Sequence, residues 1–427
     1  MKQVLKLSAY RRLLLAYGLT LVAWRVVEIA LAILVYQRTG SALGAAVFFL
    51  CAQFVPAFIA PSLVARLDRR SPRQVLPALY VAEGALFLAL ALLVGHVGVG
   101  FVLALALLDG ILALIVLSLS RAAAVGVTAP AGVLREGNAL MNTVSSAAQM
   151  AGPALGGAIV AAVSIRSGLL VGAGMVLLVA LTILTSPGLP EAVVEDVPAK
   201  GRLRAALRYV RGQLGIRALL ALQAIALVFF TMSIPVELVL AQHTLRAGAG
   251  GYGALLTTWG GGAVVGSAAF VRLRQRSTTT LIALGAGLLG LGFAVMAISP
   301  TIAVAAVGAA IGGSGNGIHA VAARTALQEQ VKEDWMALVI ALNESLSQVF
   351  PGVGILLGGG LAAVANPRFA FSVAGAGSLV IAAAALILLR RGAAIWTKPG
   401  PDPPPVGPLT FAGQKGSPHA EAPSARH

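Results

Sequence analysis

The sequence predicts an all-α polytopic membrane protein, with twelve transmembrane helices in two pseudo-symmetric six-helix bundles. Three observations lead to that expectation. The 427 residues are 58% hydrophobic and only 11% charged, more apolar surface than one soluble core can hide. The apolar residues form runs of membrane-spanning length between short polar loops; backbone in lipid satisfies its polar groups only as helix or closed barrel, and barrel strands are far shorter than these runs. Finally, a basic knot at 61–73 returns in worn form at 267–277, where Arg66, Leu67, Arg70 and Ser71 recur as Arg272, Leu273, Arg276 and Ser277. A charged hinge repeated at the same place in two apolar halves points to a duplicated membrane domain.

The first bundle occupies 1–186, with spans predicted at 13–36, 43–64, 75–94, 99–119, 139–163 and 169–185. Lys2, Lys6, Arg11 and Arg12 before the first run resemble a signal peptide. That run is nevertheless long enough to cross a bilayer and no small-residue cleavage site follows, so it reads as a retained helix. The second bundle, 218–391, carries spans at 218–240, 252–271, 281–298, 302–322, 336–364 and 370–389. Of the 31 Lys and Arg residues, Arg38, Arg166, Arg246 and Arg368 fall on one side, Arg25 within a span, and the rest on the side of the N-terminus. The positive-inside rule then places both termini in the cytoplasm, in the inner (plasma) membrane of a cell whose Arg-, Ala- and Gly-rich usage suggests a bacterium.

Between the bundles, 187–217 is a cytoplasmic linker ending in an amphipathic basic segment. Leu203, Leu207, Val210 and Leu214 share one stripe while Arg204, Arg208 and Arg211 fall elsewhere, which suits a helix on the inner membrane surface. A solvated charged linker is the alternative. The end of the chain, 392–427, is a Pro-rich stretch read as a disordered cytoplasmic tail.

Several function classes are excluded. A net charge of +16 invites a nucleic-acid role, but the basic residues stand in blocks without interleaved aromatics, so no nucleic-acid partner is expected. Cys51 is the one cysteine, so no intramolecular disulfide forms. Gly285, Gly287 and Gly290 match a dinucleotide pattern but lie inside a span with no strand before them. No phosphate loop, metal-ligand spacing or nucleophile–base set is present. The expectation is therefore no metal, no cofactor and no enzyme.

Small residues four apart let helix backbones approach closely, and proline removes a donor. The fifth span has Gly152-Pro153-Ala154-Leu155-Gly156-Gly157, the eleventh has Gly354 and Gly358-Gly359, and the eighth has Gly262 and Gly266. Generic packing explains any one pair; repetition across both halves favours a shared purpose. Together with the twelve spans and the echoed basic loop, this pattern resembles the major facilitator superfamily over roughly residues 10–392. Val35-Tyr36-Gln37-Arg38-Thr39-Gly40-Ser41, and Gly251-Tyr252-Gly253 ahead of Trp259-Gly260, are similar to phrases of its macrolide- and siderophore-efflux subgroup of drug:proton antiporters. The family's loop motif would make Arg66, Asp68, Arg69 and Arg70 a gating loop. Leu63, Arg66, Arg69 and Arg70 match it, but Ala65 replaces its carboxylate, which leaves Asp68 as the local substitute.

An ionised group at mid-span costs about 2.5–3.5 kcal/mol on insertion scales, so each one calls for a reason. Arg25 and Glu28 in the first span are three apart and can pair; Glu83, Asp109, Glu237 and Glu344 lie in the third, fourth, seventh and eleventh spans. The resemblance implies that the first, fourth, seventh and tenth spans line a central cavity. Arg25, Glu28, Asp109, Glu237, Asn316 and His319 are then the candidates for proton coupling or substrate contact. Each has a bland reading: ion-pair neutralisation for Arg25 and Glu28, a structural bond for Asp109, water at a helix end for Glu237, packing for His319. Glu83 and Glu344 read as locally bonded. The expected function is export of a small amphipathic or lipophilic compound (drug, macrolide or siderophore type) by proton antiport with alternating access. The partners are the small-molecule substrate, protons and the lipid bilayer, and the chain acts as a monomer. A proton-coupled import symporter, or a non-transporting membrane sensor or partner protein, are the alternatives.

Overall fold

The computed structural model describes residues 4–67, 72–185, 202–273, 275–331 and 333–396. After a short 3-10 turn at Val4–Lys6, the first half comprises α1 (Ser8–Thr39), α2 (42–67), α3 (Pro72–Leu93), α4 (Val99–Thr128), α5 (Leu134–Ala162) and α6 (Ile165–Leu184). A linker helix, α7 (Arg202–Gly212), precedes the second half: α8 (Leu214–Thr244), α9 (Gly248–Leu273), α10 (Thr278–Ile298), α11 (Ile302–Gln330), α12 (Glu333–Val364) and α13 (Pro367–Trp396). No strand occurs among the described residues. Among the described residues, ten helices are long and apolar enough to cross a membrane. The other two of the twelve, α5 and α11, have 29 residues each and carry polar side chains, of which Thr143, Ser146, Gln149 and Asn316 face a cavity rather than lipid.

The turns are written in the sequence. Gly40 adopts φ +59 and caps α1 by donating its N–H to the Tyr36 carbonyl at 2.8 Å, a left-handed position that glycine adopts without strain. Ser41, Ser164, Ser277 and Thr301 cap α2, α6, α10 and α11 by accepting backbone N–H bonds. We call the side where α1 begins the terminal face and the side where it ends the far face. Two of the four arginines assigned to the far face cap helix ends there: Arg38 donates to the Val94 and Val97 carbonyls after α3, and Arg368 to those of Ala297 and Ser299 at the end of α10, at 3.1 and 2.7 Å.

The halves repeat one packing scheme. Helices α1 and α5, α2 and α4, and α3 and α6 pair in the first; α8 and α12, α9 and α11, and α10 and α13 pair in the second. Without a hydrophobic drive between helices in lipid, close backbone approach sets these contacts. A Cβ on Gly156 would stand 2.9 Å from the Val26 Cα on α1, and on Gly262 or Gly266 would overlap the carbonyls of Ala310 or Ser314 on α11. The two halves meet where α5 packs on α9 and α2 on α12.

Three expectations are corrected. Helices α4 and α11 continue past the apolar runs to Thr128 and Gln330, because Ala-rich, helix-favouring sequence follows each run. The linker stripe is split: Val210 is buried with Tyr209 against the second half, whereas Leu207 and Leu214 are exposed. α8 runs on as a π turn, Leu240–Thr244, beyond the predicted end of its span. The tail expected at 392–427 lies outside the described residues from 397 onward, its first five residues belonging to α13, and the linker stretch 186–201 lies outside them as well.

Candidate functional site

Helix α2 is interrupted by a π turn, Leu50–Phe54, just before Pro56. Proline offers no N–H to the preceding turn, and an inserted residue is how a helix accommodates that loss. The turn directs Phe49 and Gln53 into the space between the halves, where the amide of Gln53 donates to Glu28 Oε1 at 2.6 Å. The other carboxyl oxygen of Glu28 accepts from Arg25 Nη1, also at 2.6 Å. The predicted ion pair therefore forms, and its acid is held from both sides.

This Arg25–Glu28–Gln53 group stands between two cavities. The larger, about 720 Å³, lies between the halves and is lined by α1, α2 and α5 on one side and by α8, α9 and α11 on the other. Phe230, Trp259 and Leu256 give it an apolar wall, and Trp259 continues into a stack with Phe230 and Phe293 at ring distances of 5.7 and 5.5 Å. The smaller, about 350 Å³, lies within the first half among α1, α2, α4 and α5. Arg25, Glu28, Gln53 and Gln149 line both, so these four side chains form the partition.

Glu237 faces the central cavity and is only 4% exposed. It was expected near a helix end; because α8 extends to Thr244, it lies about two turns inside instead. Tyr252 on α9 lines the same cavity within electrostatic reach of Glu28, Glu237 and Arg25. Asn316 also faces this cavity. Asp109 faces the smaller one, so the fourth span contributes its acid to the side chamber rather than to the central cavity. Its Oδ1 is buried with no hydrogen-bond partner among the described residues.

His319 lines neither cavity. It is buried against α10, with Nδ1 3.4 Å from the Ile282 carbonyl. Glu83 is fully buried and accepts a 2.6 Å bond from the Trp24 indole. Arg66 is exposed at the end of α2, while Asp68, Arg69 and Arg70 lie outside the described residues, as does the side chain of Glu344. Sequence reasoning missed Gln53, Gln149 and Trp24, because attention to charge passes over neutral amides and an indole; a lone amide inside an apolar run was the available signal.

The glycine motifs divide by face. Gly152 and Gly156 pack on α1 and Gly262 and Gly266 on α11, each within its own half. Pro153 and Gly157 instead face α9 of the other half: a Cβ on Gly157 would stand 2.8 Å from Gly253 Cα, and one on Gly253 would stand 2.7 Å from the Pro153 carbonyl. Gly359 packs likewise on Ala42 and Ala46 of α2. These contacts gather toward the far face; toward the terminal face, Thr143 and Ser146 on α5 and Val264 and Ser267 on α9 line the cavity. Such an arrangement can hold an amphipathic molecule between two bodies that are sealed on one side.

Residues 13–349 match the family model described as Major Facilitator Superfamily. Among solved structures, the nucleoside transporter NupG superposes with a TM-score of 0.66 at 12% identity, covering 92% of this chain and 100% of that one. A bacterial homolog of the human lysosomal transporter Spinster, in an inward-facing and occupied conformation, gives 0.67 at 12%, with 92% and 98% covered. A POT family transporter in complex with a thioalcohol-conjugated peptide gives 0.67 at 11%, with 91% and 96% covered. No curated protein matches the sequence.

Proposed function

The chain belongs to the Major Facilitator Superfamily, and from that premise we propose that it exports a small amphipathic or lipophilic compound across the membrane in exchange for protons, by alternating access. The observation behind this reading is the pair of chambers divided by Arg25, Glu28, Gln53 and Gln149. The substrate occupies the central cavity, with its apolar body on Phe230 and Trp259 and any cationic group toward Glu237. Protons load Asp109 in the side chamber. Glu28, common to both, carries the competition: a proton arriving there loosens its bonds to Arg25 and Gln53, and a bound cation restores its charge.

Only a ligand that interacts differently with the two conformations can shift the balance between them. Here the differential contact is the partition, because it joins α1 to α2, and α2 packs on α12 of the other half. The direction of transport is supported by resemblance to exporters in the Gly-Pro-x-x-Gly-Gly run, whose Pro153 and Gly157 sit on the seam as a closing surface would. The basic face follows the positive-inside rule, so the terminal face is cytoplasmic and the closed seam faces out.

Everted vesicles test the reading. Addition of a transported compound should collapse a preset pH gradient in vesicles that contain the protein. A compound that flows with protons rather than against them would make the chain a symporter, and no flux across a broad panel would make it a sensor.

A further inference from the structure

The linker helix α7 has a docked side and a free side. Tyr209 and Val210 are 3% and 7% exposed, and the Tyr209 ring stacks on Trp335 with centroids 4.7 Å apart and planes 1° from parallel. They pack with Ile216, Leu327 and Val339, so the helix lies across the terminal-face ends of α8, α11 and α12. At 100° per residue, Arg208 and Arg211 fall on the side opposite Tyr209 and Val210. Both are exposed, as is Arg217 in the first turns of α8. Leu207 and Leu214 beside them are 40% and 51% exposed. Among the described residues no ion pair holds any of these three arginines; Arg217 Nη1 makes one long bond, 3.5 Å, to the Arg211 carbonyl.

A helix edge that exposes leucine next to unpaired arginine, at the level where spans begin, is complementary to a headgroup layer: leucine enters the acyl boundary and the cation stays at the phosphates. We propose that Arg208, Arg211, Arg217, Leu207 and Leu214 form a docking surface for anionic phospholipid headgroups of the leaflet at the terminal face. The surface reaches the transport machinery through one stack. Tyr209 rests on Trp335 in the first turn of α12, and the same helix carries Gly352 and Gly359 to α2 at the seam between the halves. Lipid held on one side of α7 thus steadies the base of a helix that packs on α2 across the seam. This inference is independent of the compound transported and of its direction.

The test uses the full chain in nanodiscs of phosphatidylcholine with a rising fraction of phosphatidylglycerol, reading thermal unfolding and the lipid retained after extraction. Each basic side chain near such a surface contributes about a five-fold gain in affinity, so Arg208→Gln, Arg211→Gln and Arg217→Gln together should weaken retention on the order of a hundred-fold. The stabilisation by phosphatidylglycerol seen in the unaltered protein should flatten with it. The three corresponding Lys substitutions should preserve it, and Arg211→Gln alone should fall between, which keeps the test valid if the triple variant folds poorly. Soluble glycerol phosphate should have no effect. Phosphatidylglycerol dependence unchanged in the triple Gln variant would overturn the proposal, and so would full stabilisation by glycerol phosphate, which would indicate a free-anion site instead.

Discussion

The indole N–H of Trp24 donates to Glu83 Oε1 across 2.6 Å, joining α1 to α3 at a carboxyl with no solvent exposure. Its other oxygen has no partner among the described residues, so the indole is the bond that compensates this group's burial. Trp24→Phe should lower thermal stability, since a stranded buried polar group costs about 1–3 kcal/mol. Replacing both partners, Trp24→Phe with Glu83→Leu, should recover part of that loss. Unfolding midpoints in one detergent decide the matter; equal losses in the single and double variants would mean that ring volume, not the bond, sets the stability.

Asp109 and Glu28 are expected to separate coupling from binding. Asp109→Asn should bring proton-driven transport down to the level of empty vesicles while exchange of labelled for unlabelled compound continues, because Asp109 lines the side chamber and not the substrate cavity. Glu28→Gln removes the charge opposite Arg25 and leaves one acceptor oxygen where Arg25 and Gln53 now use two, and it should impair both measurements. Normal proton-driven transport by Asp109→Asn would move coupling to another acid.

Glu237 has the opposite expectation. It faces the central cavity but not the side chamber, so Glu237→Gln should weaken binding of a cationic compound about ten-fold, the size of one hydrogen bond to a charged group. A neutral compound of similar shape should bind as before. Quenching of Trp259, which stacks on Phe230 in the cavity wall, provides the readout, with a Trp259→Phe control to assign the signal.

The loop carrying Asp68 gives a further expectation from sequence. With Ala65 where the superfamily motif has its acid, Asp68 is the one carboxyl left to meet Arg66, Arg69 and Arg70 there. Asp68→Asn should slow transport in proteoliposomes without reducing membrane expression. A rate equal to that of the unaltered protein would reduce the loop to a topology signal.

Much of the fold was legible because lipid leaves a chain few options: apolar length gives spans, and the echo of Arg66 in Arg272 accompanies a packing scheme that both halves repeat. The sites were legible only in part. Charge marked Arg25, Glu28, Asp109 and Glu237, but charge does not reveal which wall a side chain faces. Asn316 and His319 are less than one helical turn apart, yet the first reaches the cavity and the second packs on α10, a rotation that hydropathy cannot resolve. The partition depends on Gln53, and its orientation comes from the π turn before Pro56, where a small local insertion turns a face. The linker stripe misled because Leu, Val and Tyr are alike to periodicity. The complementary partners, Trp335 with Leu327 and Val339, lie far away in sequence, and they determine that Tyr209 and Val210 dock while Leu207 does not.

Two glycines of similar sequence context separate folding from switching. A Cβ on Gly266 would overlap the Ser314 carbonyl inside the second half, whereas one on Gly157 would stand 2.8 Å from Gly253 Cα between the halves. Overpacking of this kind costs about 1–3 kcal/mol. Inside a bundle the cost falls on the folded state, so Gly266→Ala should lower the unfolding midpoint. At the seam the same cost falls on one conformation and not the other, and a bias of that size shifts a two-state equilibrium about 5–150-fold. Gly157→Ala should therefore keep its stability yet populate the form with the seam parted. A cysteine placed at Ala249, whose carbonyl lies 2.9 Å from that Cβ position, should then react faster with an impermeant maleimide applied at the far face. The comparison is made in a background where Cys51 is replaced by Ser. If Gly157→Ala lowers the midpoint as much as Gly266→Ala and leaves labelling unchanged, the seam is a fixed part of the fold and the halves do not separate there.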